Sequence, residues 1–167
     1  MAKKIILAAL ATVIVFLVMR WLSIELKGVY SPMGIVSFEL AKNYAEAKNI
    51  MNTISVTLMQ ISTGVDFIFI IAYTLFFSFC CKALMNNYRS SGIKTIGFIF
   101  LELSILVGVL DLVENVAMLI TLGGYGSNLS VTITRWAAIL KFLLAGIVLL
   151  YIIIGSLIML IISKKKV

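Results

Sequence analysis

Four runs of apolar residues, at 5–22, 63–81, 95–122 and 131–162, leave this 167-residue chain few ways to fold. A hydrocarbon layer about 30 Å thick takes about 20 residues of helix, and each run is near or beyond that length. The expected fold is therefore all-α, a polytopic membrane protein with four transmembrane helices in a bundle, the whole of 1–167 forming one transmembrane domain. The first run follows Lys3 and Lys4 in the manner of a signal peptide, but no small-residue cleavage site precedes Arg20, so it reads as a retained span. The last two runs are long enough to tilt or to project from the hydrocarbon.

Composition agrees, because 62% hydrophobic residues far exceeds the roughly 45–50% of soluble domains. The chain has no histidine, and its two cysteines, Cys80 and Cys81, are adjacent. That removes the usual catalytic base and any classical zinc site, and leaves the vicinal pair to packing or lipidation rather than to a strained disulfide. No cofactor is expected. The net charge of +7 is topological. Lys3, Lys4, Lys82, Arg89, Lys94, Lys164, Lys165 and Lys166 fall on one side of the bundle by alternation, whereas 123–130 carries no charge. By the positive-inside rule the protein is a multi-pass cell-membrane protein with both termini cytoplasmic, and the basic residues form no nucleic-acid surface.

The long outer connection, 23–62, is expected to hold one amphipathic helix at about 32–58, with Ser31 as N-cap and Pro32 at the first helical position. It would lie along the outer surface or over the mouth of the bundle.

Within the apolar runs sit Asp66, Glu102, Asp111, Glu114, Arg135 and Lys141. A lone charge at the bilayer centre costs about 2.5–3.5 kcal/mol on insertion scales, so these groups must pair. Asp111, Glu114 and Asn115 lie ~10–17 Å below the outer end of the third span, and Lys141 ~15 Å into the fourth, at 1.5 Å per residue. The i, i+3, i+4 spacing puts Asp111, Glu114 and Asn115 on one helix face, while Asp66 and Tyr73 share a face of the second span at i, i+7. Lys141 is expected to pair with Asp111 or Glu114, and Arg135 with Asp66 or Glu39. Glu102, about 180° round the helix from Asp111, belongs elsewhere: bonded as a neutral carboxyl to Ser78 or Thr74, packed against a helix, or at an oligomer interface. Small residues beside the charged faces, Ser104, Gly108, Thr134, Ala138 and Ala145, let helices approach closely.

Several pieces, Ser37-Phe38-Glu39-Leu40-Ala41, Asp66-Phe67-x-Phe69 with Tyr73-Thr74, Leu110-Asp111-x-x-Glu114-Asn115 and Lys141-Phe142, together resemble a group of small four-helix bacterial membrane proteins of unassigned activity. The resemblance implies that Glu39 joins the inner polar set.

The candidate cluster is thus Glu39, Asp66, Tyr73, Asp111, Glu114, Asn115, Arg135 and Lys141. Its first reading is structural, ion pairs that fix helix register in an accessory subunit of a homo-oligomer or larger membrane complex, with membrane lipids as the other partners. One alternative is outward-facing binding or transport of a small ligand, lipid headgroup or cation. A second is an intramembrane lipid-modifying enzyme, with Asp111 or Glu114 as base and Lys141 or Arg135 holding a phosphate. The carboxylates could also chelate a hard divalent cation, but two cationic side chains inside the cluster make a metal unnecessary, and none is expected. A cavity reaching the cluster separates these readings from a dry, fully paired one.

Overall fold

The computed structural model describes residues 1–87 and 91–164. It is helical, with no strand among the described residues. Four helices are long and apolar enough to cross a membrane: α1 (Ala2–Glu25), α4 (Val56–Asn87), α5 (Ser91–Ile120) and α6 (Asn128–Lys164). Two short helices, α2 (Ile35–Glu39) and α3 (Tyr44–Thr53), fill the connection between α1 and α4. α4 and α6 begin before their apolar runs, because Ser55 and Ser127 accept from the amides of Leu58 and Ser130 and so initiate the helix. Arg89, Lys165 and Lys166, counted with the basic side, lie outside the described residues.

Two clusters mark the ends of the bundle. At one, Leu26, Phe38, Ala47, Ile50, Met59, Met118, Leu122 and Val131 close a core beneath α2 and α3. At the other, Cys80, Cys81, Val148 and Ile152 form a core with Ile5, Phe77 and Phe100 at its edge. Consecutive long helices therefore run antiparallel. Both cysteines are free and buried, with Cys81 Sγ 3.6 Å from Ser104 Oγ, which favours the packing role over lipidation.

The amphipathic helix expected at about 32–58 is instead two helices with a break between them. The break follows from capping. Asn43 accepts from the Glu46 amide at 2.9 Å while Glu46 Oε2 accepts from the Lys42 amide at 2.9 Å, so a new helix starts at Tyr44. Nor does Ser31 cap α2. Its hydroxyl donates to the Leu26 carbonyl at 2.8 Å, and the N-cap is Gly34, at φ 65°, where a side chain would collide with the Ser23 carbonyl of α1. This close approach turns α2 back over the bundle and puts Glu39 inside it. The other edge of the cap is tied down by Tyr44, whose amide donates to Asn128 Oδ1 at 2.9 Å.

Order among the long helices is uneven. α5 packs extensively on both α4 and α6, and α1 packs along α4, yet α1 hardly touches α6. The long helices thus form a folded row rather than a closed ring. Their outward faces, including Leu7, Leu17, Ile71, Leu143 and Leu150, are apolar and exposed, as a lipid-facing surface requires.

α4 and α5 approach closely at Gly108, where an added Cβ would stand 2.5 Å from Thr74 Oγ1. Gly108→Ala should therefore destabilise the bundle by about 1–3 kcal/mol in detergent unfolding, and adding Thr74→Ala should restore most of the loss. An additive double mutant would contradict that contact.

Candidate functional site

Charge at the centre of the bundle is organised by one ammonium group. Lys141 Nζ lies 2.6 Å from Asp111 Oδ1 and 2.9 Å from Glu114 Oε2, and these are the two ion pairs among the described residues. The expectation named either acid; the structure gives Lys141 both. Their helix faces explain it, since Asp111 and Glu114 share a buried face of α5 and Lys141 follows Thr134 and Ala138 along the buried face of α6. The 2.9 Å contact to Glu114 is an ion pair rather than a well-directed hydrogen bond. Lys141 also stands 5.0 Å from the centre of the Phe142 ring.

Two neutral groups complete the cluster. Tyr73 donates to Asp111 Oδ2 at 2.8 Å, and Asn115 Nδ2 donates to Asp66 Oδ2 at 2.7 Å. Asp66 therefore meets an amide, not the arginine expected of it. Arg135 makes no ion pair among the described residues, because it sits about 120° round α6 from Lys141, on the flank rather than the buried face. Glu39 lies with the inner set: α2 delivers it into the bundle, 8% exposed, within reach of Glu114. Glu102 stands apart, as expected, but it is exposed rather than packed or bonded to Ser78 or Thr74.

Beside the cluster opens a cavity of about 490 Å³. Glu39, Asp66, Tyr73, Asp111 and Lys141 line its polar end, whereas Glu114 is sealed behind them with no exposed surface. Its remaining wall is largely apolar. Phe16 and Phe69 (ring centres 6.2 Å apart), Tyr73 and Phe77 (5.7 Å) form a run of rings, with Ala145 and Leu149 opposite on α6. A void of about 10 Å³, roughly the room one water needs, adjoins it among Glu39, Ser62, Asp66 and Asn115.

The sequence reading missed the contribution of α1. Thr12, Phe16, Met19, Arg20 and Ser23 all line the cavity. Their spacing of four, three, one and three residues is a helix face, so a polar stripe of threonine, arginine and serine in an otherwise apolar span was the available signal.

Among the described residues, no three acids are arranged to hold a metal ion. The Lys141 ammonium occupies the centre of the acid group instead. Comparison with protein-family models, with curated proteins and with solved structures finds no match.

Burial raises the proton affinity of Glu39 above its ordinary value of 4.5, with the Lys141 charge opposing and Asp111 reinforcing the rise. A carboxyl neutral in the fold but ionised in the unfolded chain stabilises fully below the ordinary value and loses that contribution as pH rises through the raised one. Unfolding followed across this range should show stability falling with rising pH in the wild type, and Glu39→Gln should flatten the fall. An unchanged slope would contradict the burial of Glu39 as an acid.

Removal of Lys141 leaves Asp111 and Glu114 buried without a counter-charge. Lys141→Met should cost about 3–5 kcal/mol, Asp111→Asn less because Glu114 still faces the lysine, and Arg135→Gln within about 0.5 kcal/mol of nothing.

Proposed function

We propose that this protein is a multi-pass membrane protein that binds an amphiphile, taking it from the bilayer through the gap between α1 and α6. The observation that carries this reading is the cavity itself: about 490 Å³, apolar along its length, with carboxylates and an ammonium at one end. That size and that distribution of polar groups suit a ligand with an apolar body and a polar head. The weak contact between α1 and α6 supports a lateral entrance, because a chain can remain partly in the bilayer while its head reaches the cluster.

In this reading both termini are cytoplasmic, which the basic residues gathered at the end opposite α2 and α3 support. Trp21, Tyr30 and Tyr125, exposed near the capped end, suit the headgroup level of the outer leaflet. The polar end of the cavity then lies within the outer half of the bilayer.

A structural role for the ion pairs is compatible with binding, since Lys141 joins α5 to α6 whatever the cavity holds. A purely structural subunit has no use, however, for a cavity that reaches Asp66, Asp111 and Lys141. Partner subunits, as a homo-oligomer or a larger complex, would pack on the exposed apolar faces and leave this reading unchanged.

Native mass spectrometry of the protein extracted with its own lipids tests the proposal. The wild type should retain an amphiphile, and Ala145→Phe, which fills the cavity wall, should lower its occupancy about tenfold while the protein still folds. Equal retention by both proteins would contradict binding in the cavity.

A further inference from the structure

Four acidic side chains, Glu39, Asp66, Asp111 and Glu114, gather round the single ammonium of Lys141, which is already committed to two of them. Two acid oxygens in this region take no directed hydrogen bond. Glu39 lines the cavity and is more than nine-tenths buried, and its Oε2 lies covered just behind the wall, open to an arriving donor once the side chain turns. Asp66 receives Asn115 at Oδ2, and its Oδ1 takes no bond among the described residues. A site with spare buried acceptors and a surplus of acid calls for a ligand that brings both hydrogen-bond donors and positive charge.

One wall has the opposite character. Arg20 of α1 lines the same cavity as Ser23, Met33 and Glu39, is exposed, and forms no ion pair among the described residues. A guanidinium held free beside an acidic pocket offers a seat for an anion, and phosphate matches its fork of donors.

We infer, resting on the amphiphile-binding reading above, that the ligand is a zwitterionic phospholipid with a primary ammonium: phosphate on Arg20, ammonium on Glu39 and Asp66, and acyl chain along Phe16, Phe69 and Phe77. The primary ammonium matters because a quaternary one has no N–H to give the unpartnered oxygens. An arriving ammonium supplies the counter-charge that holds Glu39 ionised. A lipid with a net negative head meets the acids without compensation and binds less well. The chain beyond the cavity leaves between α1 and α6, where the two helices hardly touch.

Purified full-length protein, titrated in detergent with phosphatidylethanolamine, phosphatidylcholine and phosphatidylglycerol of matched chains and followed by native mass spectrometry, tests this. Phosphatidylethanolamine should bind about tenfold more tightly than either of the others. Glu39→Gln should erase most of that preference. Arg20→Gln, at an exposed position where folding is not at stake, should weaken phosphatidylethanolamine and phosphatidylcholine by a similar factor. Equal affinity for the three lipids, all lost in Ala145→Phe, would overturn the head-group assignment and leave the cavity reading standing. Lipid binding indifferent to Ala145→Phe would overturn both. Free ethanolamine competing as well as the whole lipid, or Arg20→Gln without effect, would equally overturn a phospholipid ligand.

Discussion

The ammonium of Lys141, held between Asp111 and Glu114, is the interaction on which the rest of the bundle depends. Neither acid nor lysine is tolerable alone in a low-dielectric interior, and each can be buried only where the others stand. Their contact fixes the rotation of α5 against α6 and the depth of one relative to the other. Tyr73 then ties α4 to the same point through Asp111, and Asn115 ties it again through Asp66. Three of the four long helices are thus registered by one polar cluster, and close packing at Gly108 and Ala138 follows from that register.

The fourth long helix has a different relation to the rest. α1 is held along α4 and beneath the α2 turn, where Gly34 meets Ser23, but it is not drawn into the ion-pair network. The space left between α1 and α6 becomes the cavity, and rings from α1 and α4 line it. Polar registration of three helices, and a fourth that packs on α4 but not on α6, is an arrangement that can admit a chain without disturbing the charges. In the proposed reading, binding and structural stability are served by the same cluster.

Much of this was legible in the residues. The four spans are set by apolar length, and the pairing of Lys141 with α5 acids follows from the cost of unpaired charge together with i, i+3 geometry. Asp66 with Tyr73 on one face was equally readable. Depth does not place Arg135: it lies near the cluster in height but on another side of its helix. The apolar spacing of 32–58 predicts one helix because it carries across the Asn43–Glu46 cap, a short-range hydrogen-bond pattern that outweighs periodicity. The cavity was invisible to both arguments. It arises from where helices do not touch, which no spacing within one helix encodes, although the Thr12, Arg20 and Ser23 stripe on α1 carried its trace.

An experimental structure of the protein in a lipid nanodisc containing phosphatidylethanolamine measures the central relation directly. Chain density between α1 and α6, ending in a head beside Asp66 and Glu39 with Lys141 still bridging Asp111 and Glu114, is the predicted result. α1 closed onto α6 over an empty, dry cluster would contradict it.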